Sequence, residues 1–129
     1  MAAPLIQSLD HLVLTVRSLE ATRAFYCDTL GMDWISFGEG RHALGFGVQK
    51  INLHVAGAEF EPKAAHPTPG SADLCFLVAR PLAEIEAALA AAEIPLLEGP
   101  VPRTGATGPI QSLYVRDPDG NLIELSTPA

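Results

Sequence analysis

Hydrophobic and polar positions alternate along the first predicted strand, residues 9–16, where both faces are mostly apolar. Period two with two apolar faces is typical of a strand that is covered on both sides. Residues 19–30 then follow a helical spacing, with Ser18 as a candidate N-cap and Gly31 where a helix commonly stops. Three short strands are predicted next, punctuated by glycines typical of hairpin turns, over residues 34–37, 43–46 and 50–55. The first half therefore has the element order β, α, β, β, β.

The same order returns after a connection rich in proline and glycine, residues 56–70. An apolar strand is predicted over residues 72–78 and a helix that opens at Pro81, followed by strands over 95–97, 110–115 and 122–125. Superposing Ser8 on Ser71, an offset of 63 residues, matches the apolar pattern of the two first strands. The sequence thus predicts an α+β fold of two βαβββ modules that share one curved mixed sheet, with helices on its outer face. An unrelated α+β fold with accidental internal similarity is the alternative.

Length, charge and cysteine content limit the number of domains and the classes of partner that the chain can have. A chain of 129 residues suits one domain, residues 1–129, with module one over about 8–56, a linker over 57–70 and module two over about 71–127. The net charge of −7 argues against a nucleic-acid or anionic-membrane partner, because the basic residues are few and scattered. The beginning of the chain lacks the features of a signal peptide, so we expect a cytoplasmic protein. Cys27 and Cys75 lie in apolar runs and are expected to be buried free thiols, although a disulfide is also open.

Two segments of the chain carry a family resemblance: residues 9–32, which contain LDHLVLTV and SLEATRAFYCDTLGM, and residues 114–126, YVRDPDGNLIELS. They resemble the beginning and the end of a domain of the vicinal-oxygen-chelate superfamily, which includes glyoxalases, bleomycin-resistance proteins and dioxygenases. The middle of the chain looks like the uncharacterised virulence-associated glyoxalase-domain proteins of that superfamily. The resemblance implies a U-shaped sheet with a divalent metal ion in its cleft, a small-molecule substrate and a homodimer.

The resemblance also implies metal ligands on the first and last strands of each module. Carried over by position, these are His11, His54, Leu74 and Glu124. Leu74 departs from the family pattern, and the neighbouring Asp73 is not counted, because a shift of one residue turns a side chain to the opposite face. His11, His54 and Glu124 remain, a ligand set that suits Ni, Co, Zn, Mn or Fe.

Each of these residues also has a structural interpretation. A lone strand histidine is commonly a core or surface residue, and Glu124 could pair with Arg116. His42 and His66 lie in turn-rich or proline-rich segments and are expected to be solvated.

The expected function is a metal-dependent, glyoxalase-like lyase in which Glu124 moves a proton between neighbouring carbons of a substrate with vicinal oxygens. A non-haem Fe(II) ring-cleaving dioxygenase and a metal-free protein of the bleomycin-resistance type, which sequesters a small molecule, are the alternatives. The segment 100–109 is interpreted either as a mobile lid, in which Arg103 and Thr104 contact substrate, or as a polar connection.

Overall fold

The computed structural model describes residues 3–129 and has the predicted α+β fold, with the βαβββ order present twice. Module one contains β1 (His11–Val16), α1 (Leu19–Arg23) continued by a π-helical segment (Ala24–Thr29), β2 (Asp33–Phe37), β3 (Arg41–Phe46) and β4 (Gln49–Val55). Module two contains β5 (Asp73–Leu77), α2 (Leu82–Ala91), β6 (Glu98–Thr104), β7 (Pro109–Arg116) and β8 (Leu122–Pro128). No helix within residues 3–129 is long and apolar enough to cross a membrane.

Each module forms its own four-stranded mixed sheet, in the order β1-β4-β3-β2 and β5-β8-β7-β6, so the modules do not share the single hydrogen-bonded sheet that the sequence predicted. In both sheets the first strand of the module pairs in parallel with the last, and the remaining pairs are antiparallel. The parallel ladders begin with His11 opposite Lys50 and with Asp73 opposite Leu122. These two starting pairs give a common register in which the modules can be compared residue by residue.

One hydrophobic core joins the modules, and each sheet turns one face toward it. The core contains Leu14 and Leu53 of the first sheet and Leu113 and Leu125 of the second, all at most 5% exposed. Successive strand residues point to opposite faces, so the neighbouring residues of these strands lie on the other face. We call this second face of each sheet its open face.

The predictions for individual elements are wrong in three places. Residues 95–97 form no strand, and β6 begins at Glu98. The segment 100–109 is neither a lid nor a long connection: Arg103 pairs with Ile110 and Thr104 with Pro109 across a β-hairpin. Pro81 is the extended N-cap of α2, one residue before its first helical position.

The cysteines differ in part from the prediction. Both thiols are free, but Cys27 is only partly buried and Cys75 is exposed on β5. Cys75 lies on the open face of the second sheet, where its Sγ is 3.3 Å from the hydroxyl of Ser126.

Candidate functional site

The open face of the first sheet forms a pocket of about 360 Å³ with the connection that leads to module two. His11, Thr15, Asn52 and His54 line its floor, and Arg41 of β3 and residues 62–64 of the connection line its walls. His54 is 3% exposed, and its burial, followed by the nearby charge of Arg41, lowers the pKa of its imidazole. His54 is therefore neutral near pH 7, the form in which imidazole binds a metal ion.

His11 is more exposed and is oriented by its neighbour. Its Nδ1 lies 2.8 Å from Oδ2 of Asp10, a carboxylate that is almost fully solvated. When Nδ1 carries the proton of that hydrogen bond, Nε2 keeps a free lone pair. A carboxylate behind an imidazole is the usual support of a metal-binding histidine.

Two side chains of this pocket hold buried polar atoms that have no hydrogen-bond partner: Nε of Arg41 and Oδ1 of Asn52. Among residues 3–129 these are the only two such side-chain atoms, and both residues line the same pocket. Buried polar groups are nearly always hydrogen-bonded, and leaving one unpaired costs about 1–3 kcal/mol. This concentration of unpaired groups is the strongest sign that the pocket binds a ligand.

Glu124 lies on the open face of the second sheet within a polar cluster. Its Oε2 accepts a hydrogen bond of 2.5 Å from the hydroxyl of Ser112, and the hydroxyl of Ser126 lies 3.4 Å from the same atom. Tyr114 pairs with Glu124 across β7 and β8, and burial raises the pKa of its phenol, partly opposed by the hydrogen bond with Arg103. Arg116, the alternative partner, instead donates to the carbonyl of Gly120.

Arg103 is engaged within its own hairpin. Its Nε donates to the hydroxyl of Tyr114 at 2.9 Å, and its guanidinium forms an ion pair with Glu98 at 3.3 Å. The hydrogen bond to Tyr114, which is the largest influence, raises the pKa of Arg103. Thr104 ends β6 and is exposed. Both residues belong to module two, as Glu124 does, and neither lines the pocket of the histidines.

The register of the two parallel ladders corrects the position carried over for the third ligand. Leu74 packs against the hydrophobic core, so it lies on the opposite face from Cys75 and Glu124. When the first pairs of the two parallel ladders are aligned, His11 corresponds to Asp73. The offset between the modules is then 62 residues rather than the 63 obtained by matching Ser8 to Ser71. By the same count Asn52, not His54, corresponds to Glu124. The residue excluded by the sequence argument, Asp73, is the one on the open face.

The chain brings together only part of the predicted metal set. His11 and His54 line one pocket, whereas Glu124 is surrounded by residues of module two. Within residues 3–129 no three His, Cys, Asp or Glu side chains lie close enough to hold a metal ion. His66 is exposed as expected, but His42 is partly buried, stacks on Trp34 and lies 3.1 Å from the hydroxyl of Ser36.

Sequence reasoning missed Arg41 and assigned no role to Asn52. For Asn52 a signal was available, because Ile-Asn-Leu at 51–53 returns as Ile-Glu-Leu at 123–125. For Arg41 there was none, since its environment depends on Phe60, which is distant in sequence.

Comparison with known proteins agrees with this architecture. Virulence protein STM3117 of Salmonella typhimurium is 55% identical over 122 residues, which are 95% of this chain and 85% of that protein. Its crystal structure superposes with a TM-score of 0.94 at 53% identity, covering 98% of this chain and all of the other. The V. cholerae integron cassette protein VCH_CASS1 gives a TM-score of 0.95 at 53% identity, covering 99% of this chain and 100% of that protein.

More distant structures share the fold alone. Lactoylglutathione lyase of Agrobacterium tumefaciens superposes with a TM-score of 0.72 at 24% identity, and each chain is covered to 96%. The antibiotic-binding protein TnmS3 of Streptomyces sp. CB03234 gives 0.75 at 21% identity, covering 98% of this chain and all of the other. The family model described as Glyoxalase/Bleomycin resistance protein/Dioxygenase superfamily matches residues 8–125. With a match over nearly its whole length, the chain belongs to this superfamily.

Proposed function

We propose that the chain is a metal-dependent, glyoxalase-like lyase whose site is completed by a second copy of the chain. His11 and His54 of one copy would hold the metal ion together with Glu124 of the other. The observation that carries this proposal is that the predicted ligands lie on two different sheets. His11 and His54 lie on the open face of the first sheet, and Glu124 lies on the open face of the second. Two exposed apolar side chains support it, because Val13 is 45% and Leu77 66% exposed on the edge strands of these faces. Contact with a second copy would cover both.

The donor set fits a divalent ion of the first transition row. Two neutral imidazoles and one carboxylate suit Fe, Co, Ni or Zn, and three protein ligands leave positions for substrate oxygens. Asp73 is a further carboxylate on the face of Glu124.

A bound ion would supply Lewis-acid stabilisation of a substrate oxyanion. The residues of the chain would supply the proton transfer and the orientation. Glu124 is the proposed base, which removes a proton from one substrate carbon and returns it to the neighbouring carbon. The Ser112 hydroxyl, 2.5 Å from Oε2 of Glu124, would orient the carboxylate through both transfers. Arg103 and Thr104 are proposed to contact substrate from the adjacent hairpin, where Arg103 already contacts Tyr114.

Metal content, measured by elemental analysis of tag-free protein, tests the proposal. Wild-type protein is expected to contain close to one ion per chain, and both Glu124→Gln and His54→Ala are expected to lose it. His66→Ala is the matched control, because this histidine is exposed and lies outside the set. Metal retained in both site variants would contradict the ligand assignment. The metal that is found then defines the loading for assays with methylglyoxal and a thiol.

Mixing two deficient variants tests whether a second copy completes the site. After unfolding and refolding His11→Ala together with Glu124→Gln, about half of the dimers are mixed, and each mixed dimer has one intact site. About a quarter of the wild-type metal content should therefore return. No recovery, with mixed dimers verified by mass spectrometry, would contradict the two-copy site.

A metal-free binding protein, which sequesters a small molecule, is the second candidate. The two unpaired polar atoms favour it, since they lie in one pocket of a single chain and require no carboxylate from elsewhere. Substoichiometric metal that neither Glu124→Gln nor His54→Ala changes would favour this function over the lyase.

A further inference from the structure

The surroundings of Arg41 point to the kind of ligand that this pocket takes. The guanidinium lies between two aromatic rings, with its central carbon 5.1 Å from the ring centre of Phe37 and 4.8 Å from that of Phe60. Such stacking fixes the orientation of the guanidinium without using its N–H donors. The Nε donor is buried and unpaired.

The two glutamates of the connection, Glu59 and Glu61, form no ion pair with Arg41. Glu59 accepts a hydrogen bond of 3.0 Å from the backbone N–H of Gly57, and Glu61 forms an ion pair with Lys63 at 2.6 Å. Within residues 3–129 Arg41 has no ion-pair partner. In a chain with a net charge of −7, a pocket arginine without a carboxylate is a free anion-binding group.

The second unpaired atom has the opposite character. Asn52 is 7% exposed, and its Oδ1 can only accept a hydrogen bond. A ligand that pairs with both residues would carry an acceptor for the guanidinium of Arg41 and a donor for the side-chain amide oxygen of Asn52. A bare anion would leave Oδ1 unpaired, and a neutral alcohol would leave the guanidinium unneutralised.

We propose that the pocket formed by β1, β3, β4 and the inter-module connection binds a small oxyanion that bears a hydroxyl or amine hydrogen close to its charged group. Arg41 binds the oxyanion, and Asn52 accepts the hydrogen bond. This proposal rests on the proposed function in that it names the substrate class of the same site. The recognition itself uses only residues of module one and needs no metal ion.

Lactate, lactamide and propionate are the probes that separate the two contacts. Lactate carries both groups, lactamide lacks the charge and propionate lacks the hydroxyl. Titrations of the full-length protein are followed by NMR through the side-chain N–H signals of Arg41 and Asn52. Lactate is expected to bind at least tenfold more tightly than lactamide, and several-fold more tightly than propionate. Equal affinity for lactate and lactamide, or no saturable binding of lactate, would overturn the proposal.

Three variants assign the effect to residues. Arg41→Met should reduce lactate affinity at least tenfold, and Asn52→Ala should abolish the preference for lactate over propionate. Arg23→Met is the matched control, because this arginine also stacks on an aromatic ring, Trp34 at 5.2 Å, but does not line the pocket. Wild-type affinity in Arg41→Met would overturn the proposal. If Arg41→Met does not fold, Arg41→Lys, which keeps the charge and loses Nε, should still weaken lactate binding measurably.

Failure of this proposal can be distinguished from failure of the lyase proposal. The lactate titration is repeated on protein treated with a chelator, which removes metal ions and leaves every side chain of the pocket in place. If Arg41 recognises the anion, the preference for lactate over lactamide persists there whatever the metal analysis shows. Loss of the preference in the chelator-treated protein would mean that lactate had bound to a metal ion, and would overturn the role of Arg41 while leaving the lyase proposal intact.

Discussion

Removing the hydroxyl of Tyr26 should destabilise the fold, because that hydroxyl joins the two modules. Tyr26, in the π-helical segment of module one, is fully buried and donates to Oδ2 of Asp117 at 2.6 Å. Asp117 begins the turn between β7 and β8, and its other oxygen accepts from the backbone N–H groups of Asp119 and Asn121. The turn leads directly into β8, which carries Glu124.

The expected loss in the free energy of unfolding follows from the contacts that Tyr26→Phe leaves in place. The ring and its packing remain, so no cavity larger than one oxygen atom forms. A hydrogen bond to a charged group contributes about 1.5–3 kcal/mol. Because Nδ2 of Asn121 still donates to the same Asp117 oxygen at 2.8 Å, we expect a loss of about 1.5–2 kcal/mol near neutral pH.

The difference in the free energy of unfolding between wild type and Tyr26→Phe should become smaller at alkaline pH. Burial, followed by the charge of Asp117, holds the pKa of Tyr26 far above its ordinary value of 10.0. The folded state therefore keeps a proton that the unfolded state releases above pH 10, and stability falls as the pH rises past that value. The contribution of this one group is about 1.4 kcal/mol per pH unit. Phenylalanine cannot titrate, so the difference between wild type and variant should fall by about that amount near pH 11.

Urea unfolding followed by fluorescence of Trp34, the only tryptophan, measures both effects. Tyr114→Phe is the matched control, because its hydroxyl is less buried and only receives a hydrogen bond from the exposed Arg103. This control should change the free energy of unfolding by less than about 1 kcal/mol. Equal stability of wild type and Tyr26→Phe at neutral pH, or a difference that stays constant up to pH 11, would refute the reasoning.

Two further perturbations test the site and the connection before module two. Burial lowers the pKa of His54 below its ordinary 6.5, so the stability that this group contributes is present above pH 6.5 and is lost as the pH falls through the lowered pKa. The urea midpoint should therefore decline more steeply toward acid pH in wild type than in His54→Gln. Parallel pH profiles of the two proteins would contradict this. Gly70→Ala should destabilise by roughly 1–3 kcal/mol in the same assay, because the glycine has a φ of +82° and a Cβ there would meet the carbonyl oxygen of Asp119 at 2.5 Å. Gly57→Ala, with a φ of +85° and open space around it, should cost clearly less, and equal losses would argue against the clash.

The fold was predictable from the sequence because the local patterns agree with one another. Alternating apolar residues, the Ser18 cap and the turn at residues 117–120 each favour the elements that form. The strand β6 was missed for an equally local reason. Its sequence, EGPVPRT, contains two prolines and a glycine, which argue against a strand, yet an edge strand tolerates them, and β6 lies at the edge of its sheet.

The candidate site was predictable only in part, because β5 is apolar on both faces. In DLCFL, residues 73–77, every position after the first is apolar, so the pattern does not show which face meets the core. Matching Ser8 to Ser71 gave an offset of 63 and placed Leu74 in the ligand position. Only the pairing of β5 with β8 shows that Leu74 packs on the core while Cys75 lies beside Glu124.

The charges of the two open faces favour pairing between copies of the chain. The pocket of module one presents Arg41 without an acidic partner, together with two histidines, of which His54 is neutral. The open face of module two presents Glu124, whose carboxylate accepts hydrogen bonds from the hydroxyls of Ser112 and Ser126. Each face is therefore complementary to the other face rather than to itself. A two-fold dimer would bring unlike faces together twice and would complete the proposed ligand set at two equivalent sites. Under the two proposals the tasks fall to different modules, with anion recognition at Arg41 and proton transfer at Glu124.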